Sequence, residues 1–168
     1  SEIENLPKLV RNLIEKDDYK KIAEKIYKSN DMYFIGRGID ASIAREASLK
    51  MKEVSYVHSE YYAAGELKHG TISLIEEKTP VIGIISDINI LPKTMSNIKE
   101  TASRGANIII VTSEDISKEN YKYVINISKV NKLLQPILLV IPFQLLAYET
   151  AKLRGCSIDK PRNLAKSV

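Results

Sequence analysis

PVIGIIS at residues 80–86 and NIIIVTS at residues 107–113 decide the fold. Each is a continuous β-branched run of strand length. A strand made from such a run is covered on both faces, as in a parallel sheet with crossover helices on either side. Three weaker runs extend the pattern outward: residues 32–35, which lead into Gly36 and Gly38, residues 56–59, and residues 123–128. Helical periodicity fills the intervals and predicts helices over residues 2–15, 19–28, 41–54, 91–104, 114–121 and 133–153. Gly155 is expected to cap the last of them. Alternating strands and helices predict one α/β domain, a three-layer αβα sandwich around a five-stranded parallel sheet. Ligands of such sheets bind beyond the carboxyl ends of the strands, so the turns after each run are expected to carry the functional edge.

The chain has 168 residues, 44% of them hydrophobic, enough for one domain with its own core. Its net charge of +4 comes from lysines spread along helices and tails, which leaves no nucleic-acid footprint. The single cysteine, Cys156, excludes an internal disulfide and fits a reducing compartment such as the cytoplasm. It is expected as a small buried residue of the last helix. No apolar run is expected to act as a membrane span. The sequence opens on Ser1 within a helical pattern and stops soon after Pro161 and Arg162, so a piece of a longer chain is expected.

Chemistry concentrates in residues 44–70, AREASLKMKEVSYVHSEYYAAGELKHG. Glu46, Lys50 and Glu53 follow one another at i, i+4 and i+7 and rise along one helical face. They border the apolar stripe of Ile43, Ala47, Met51 and Val54, while Arg45 and Lys52 point away. Acids and amines at the edge of a core are half-desolvated, which suits proton transfer. A plain ion-pair ladder would use the same spacing. Next comes a loop in which Gly65 and Gly70 bracket Glu66, Lys68 and His69. A histidine beside a glycine there is expected to be exposed or at a site, whereas His58 falls within a strand and is expected to be structural. Gly36-Arg37-Gly38 could cradle an anion but lacks the third glycine of a dinucleotide turn, and a tight turn accounts for it. Ser86-Asp87-Ile88-Asn89 carries a carboxylate and no glycine, a poor anion cradle. Lys166 is an exposed tail lysine unless burial or a neighbouring cation tunes it.

Three segments carry a family resemblance: AREASLKMKEVSY, then HSEYYAAGELKHG, and finally QLLAYE followed by DKPRNLAKSV. They resemble the second, C-terminal sugar-isomerase (SIS) domain of the glucosamine-6-phosphate synthases, the isomerising glutamine:fructose-6-phosphate aminotransferases. The match runs from Phe34 to Val168 with the motifs in order. The resemblance implies a flavodoxin-like, Rossmann-like fold. It also implies a parent chain with an N-terminal glutaminase domain and a first SIS domain, a homodimer, and conversion of fructose-6-phosphate to glucosamine-6-phosphate without metal or organic cofactor. By resemblance, Glu53 is the base that moves a proton between C1 and C2, and Glu46 and Lys50 assist it. His69 opens the sugar ring and enters from the neighbouring subunit, and Lys166 forms a Schiff base with the substrate carbonyl. The family's phosphate-binding loop lies in the first SIS domain, so the chain is expected to hold catalytic side chains without a complete substrate site. A stand-alone single-SIS isomerase would need its own Ser/Thr/Gly loop at residues 86–89. A regulatory SIS sensor would have no use for Glu53, His69 and Lys166 together.

Overall fold

In the computed structural model, which describes residues 1–164, five strands form one sheet. They are β1 (Asp31–Gly36), β2 (His58–Ala63), β3 (Pro80–Ile85), β4 (Asn107–Thr112) and β5 (Tyr123–Asn126). All neighbours are parallel, in the order β2-β1-β3-β4-β5. The helices are α1 (Glu2–Ile14), α2 (Asp18–Ile26), α3 (Ile39–Ser55), α4 (Leu91–Ala102) and α5 (Gln135–Leu153). The two runs that announced the sheet, β3 and β4, lie at its centre, and every residue of β3 is buried.

Alternate strand residues feed two cores. Phe34, Ile82, Ile84, Ile109 and Val111 pack against α2, α3 and α5. Tyr33, Ile35, Val81, Ile85, Ile108 and Ile110 pack against α4 and the 3-10 turn Ala64–His69. This is the expected three-layer sandwich.

Four expectations shift. The strand expected at residues 56–59 begins at His58 instead, because Tyr56 adopts a left-handed conformation that ends α3. As an edge strand β2 alternates exposed and covered residues, so its sequence is not a continuous apolar run. The helix expected at residues 114–121 is only a 3-10 turn, Ser117–Glu119. There the Thr112 hydroxyl accepts from the Glu114 N–H and the Asp115 carboxylate from the Ser117 N–H, giving the backbone a local alternative to helix. Cys156 lies just beyond α5 and is half-buried rather than within the helix. Finally, α5 is long and apolar enough to cross a membrane. Here it is a core helix, with Leu138, Leu139, Phe143, Leu146 and Ala147 buried in the cluster shared with α2 and α3.

Candidate active site

The turn from β1 into α3 fixes the direction of the helix that carries the acids. A Cβ on Gly36 would lie 2.6 Å from the carbonyl group of Asp40, and Gly38 has φ +58° with ψ −127°, a conformation open to glycine. Between them Arg37 is engaged: its Nη2 donates to Asn97 Oδ1 at 2.8 Å and its guanidinium lies against Gly65. In the first turn of α3 the Asp40 carboxylate is fully buried and accepts from both the N–H and the hydroxyl of Ser86. Burial raises its pKa above the ordinary range, and the two Ser86 hydrogen bonds pull the other way. The Ser86 loop thereby ties β3 to α3, and its Asp87 accepts from the Asn89 N–H at 2.9 Å. Both polar turns serve the fold.

Farther along α3, Glu46, Lys50 and Glu53 sit at the edge of the core, their side chains 43%, 30% and 28% exposed. Ile43, Ala47 and Met51 are buried beneath them, while Arg45 and Lys52 face solvent. Lys50 Nζ lies 2.5 Å from Glu53 Oε2 and 3.6 Å from Glu46 Oε1. The hydrogen bond to Glu53 raises the Lys50 pKa, with partial burial opposing it. Lys50 is therefore a fixed cation between two carboxylates, suited to charge stabilisation rather than to nucleophilic attack.

The C-terminal segment completes this edge. α5 ends in a Schellman turn: the Gly155 N–H donates to the Lys152 carbonyl and the Cys156 N–H to the Ala151 carbonyl, with Gly155 at φ +68°. The chain returns toward α3, where the Arg162 N–H donates to the Tyr56 hydroxyl at 2.8 Å. The Arg162 guanidinium lies 4.2 Å from the centroid of the same ring. The returning segment and α3 enclose a cavity of about 820 Å³, lined by Lys50, Glu53 and Val54 on one side and by residues 158–161 and Leu164 on the other. Lys166 lies outside the described residues.

His69 is elsewhere. It ends the 3-10 turn that follows β2, is 71% exposed, and pairs with Glu66 at 2.9 Å. α3 runs back along the sheet, so Glu53, two residues from its end, lies near the amino edge where β2 begins at His58. His69 follows the opposite end of β2, and six residues of strand separate the two edges by roughly 20 Å. His58, also exposed, pairs with Asp31 on the neighbouring strand at 2.7 Å. The carboxyl edge was the expected place for ligands, and a cavity of about 830 Å³ does open there beside Ser86–Asn89 and the start of α5. Among the described residues, none of Glu46, Lys50, Glu53 and His69 lines it; instead a buried Glu114 pairs with Lys129 at its wall. The structure thus groups Glu46, Lys50 and Glu53 and separates them from His69. The sequence did not point to Asp40, Tyr56 or Arg162. Only Asp40, in the first turn of a helix after a Gly-x-Gly turn, carried a readable signal.

The SIS domain family model matches residues 25–154. An isomerising glutamine–fructose-6-phosphate aminotransferase of Clostridium perfringens is 45% identical over 97% of this chain. The protein of that name from Streptococcus mutans is 51% identical over 89%. The chain spans 28% and 24% of the length of these two relatives. Among solved structures, the C-terminal domain of glucosamine-fructose-6-phosphate aminotransferase from Francisella tularensis matches with a TM-score of 0.87 and 33% identity. That match covers 95% of this chain and 46% of the other.

Proposed function

Because the chain belongs to the SIS domain family, we propose that it is the isomerase domain of an isomerising glutamine–fructose-6-phosphate aminotransferase. In this reading the parent enzyme condenses ammonia with open-chain fructose-6-phosphate and rearranges the imine to glucosamine-6-phosphate. Glu53 takes a proton from C1 of the imine and returns one to C2. Lys50, a held cation beside Glu53, and Glu46 behind it steady the charge as the proton moves. Lys166 forms a Schiff base with the C2 carbonyl, releasing water, and ammonia then displaces the lysine amine to give the imine that Glu53 acts on; His69 assists ring opening from the second subunit of a dimer. The first SIS domain and the glutaminase domain of the parent chain provide the phosphate grip and the ammonia. Alone, the domain folds and lacks the isomerase activity of the parent. No metal or organic cofactor takes part.

The observation that carries the reading is the return of the C-terminal segment onto Lys50 and Glu53. Leu164 lines their cavity and Lys166 is two residues further on, within about 7 Å of extended chain. The spacing of acids on α3 alone would equally suit a surface ladder; a cavity walled by the segment that leads toward Lys166 suits a reaction.

Replacing Glu53 by Gln in the full-length parent tests it. Loss of a general base lowers kcat by about 10²–10⁴-fold. Exchange of solvent deuterium into the sugar at C1 and C2 should fall in parallel, with fructose-6-phosphate still bound. Exchange at the wild-type rate in E53Q would remove Glu53 from the chemistry.

A further inference from the structure

We propose that Tyr56 is a positioning residue that clamps Arg162 and so holds the returning segment, residues 158–164, against the Lys50–Glu53 cavity. The inference rests on the function proposed above for that cavity.

Tyr56 breaks a local rule. It ends α3 at φ 57° and ψ 21°, a left-handed position that glycine fills without strain and a bulky aromatic residue rarely takes. Such outliers persist where the side chain is used. The ring belongs to neither hydrophobic core and is only half-buried, so core packing does not account for it. Its polar and stacking partners both come from Arg162: the backbone N–H on the hydroxyl at 2.8 Å and the guanidinium over the ring at 4.2 Å.

Electrostatics sharpen the assignment. The depression around the ring is bordered by Lys28 and Arg154, and among the described residues no carboxylate lines it. Among the described residues, no acid draws Arg162 there. The π face of Tyr56 and the negative end of α3 hold it against two like charges. Immediately after the clamp, Asn163 takes a left-handed conformation at φ 59°, and Leu164 then lines the catalytic cavity. On the helix side the clamp is three residues, less than one turn, from Glu53.

A fixed root matters because Lys166 is four residues beyond Arg162, a reach of about 14 Å. Fixing Arg162 sets that reach from a point beside the cavity, and losing the clamp removes the fixed point.

The experiment uses the full-length parent with Y56F, Y56A, R162A, the Y56A/R162A pair and E53Q as reference. R162A changes an exposed side chain, so it keeps the test valid should Y56A fold poorly. Y56A and R162A are each expected to lower kcat about tenfold or more, with KM for fructose-6-phosphate held within about threefold. Y56F keeps the ring and is expected to retain more activity than Y56A. Y56A removes both contacts, whereas R162A removes only the guanidinium over the ring and keeps the backbone N–H, so the double variant should be no slower than Y56A. Borohydride trapping of the Lys166–sugar adduct should fall with kcat. Wild-type kcat in Y56A and R162A while E53Q is inactive overturns the clamp and leaves the catalytic reading standing, as would an effect confined to KM. Wild-type kcat in E53Q overturns the catalytic reading itself.

Discussion

Asp40 shows how a single buried charge organises the approach to the site. Its carboxylate is fully buried, yet it accepts from the N–H and hydroxyl of Ser86 and sits in the positive first turn of α3. Asp40→Ala leaves the Ser86 N–H without an acceptor and is expected to cost about 2 kcal/mol. Asp40→Asn keeps an acceptor and should cost less than about 1 kcal/mol at neutral pH. The two proteins should also differ in pH dependence. Burial raises the folded-state pKa of Asp40 above the ordinary 3.8. A group raised on folding contributes most below its unfolded value and loses that contribution as pH rises through its folded value. Wild type should therefore lose stability relative to D40N as pH climbs from 3.8, and urea midpoints of both proteins across that range measure it. A constant difference between them would mean that Asp40 titrates alike in the folded and unfolded chains.

At the scale of elements, two glycines without room for a side chain, Gly83 of β3 against α4 and Gly36 in the β1–α3 turn, test how closely strands meet their helices. A Cβ on Gly83 would overlap Cδ1 of Ile98, the far end of a flexible side chain on α4. A Cβ on Gly36 would strike the backbone of Asp40, which cannot turn aside. G83A is expected to cost about 1–3 kcal/mol and to be largely rescued by I98V, which removes Cδ1. G36A should cost about 3 kcal/mol or more with no such rescue. Denaturant melts of the two variants and of G83A/I98V decide it. The same elements show what could be read in advance. Continuous Ile/Val runs announced β3 and β4 because central parallel strands leave no polar face. The acid-base trio was readable because helical periodicity alone places Glu46, Lys50 and Glu53 on one edge. The start of β2 and the return of the tail were not, because both depend on Tyr56 in a left-handed conformation and nothing local in a tyrosine signals one. The segment at residues 114–121 failed for the opposite reason: Thr112 and Asp115 side chains compete for the backbone that a helix would use.

For the whole molecule, the decisive fact is that the sheet has two edges and the proposed catalytic groups use both. Glu53 and the returning tail occupy the amino edge, and His69 stands roughly 20 Å away beyond the carboxyl edge of β2. No rotamer of an exposed histidine bridges that span. If both groups serve one reaction, they must come from two copies of the chain related by a two-fold axis, so that each site borrows the other's histidine. Complementation in the full-length parent distinguishes this arrangement from a site built within one subunit. E53Q and H69A homodimers should each be inactive in making glucosamine-6-phosphate. A mixed dimer then pairs the intact Glu53 of the H69A subunit with the intact His69 of the E53Q subunit and restores one site, while its second site carries both changes. Each mixed dimer should show about half the wild-type kcat, and random mixing, which makes about half of all dimers mixed, should restore about a quarter. A site assembled within one subunit predicts no recovery, because each half of the mixed dimer would still carry one defect.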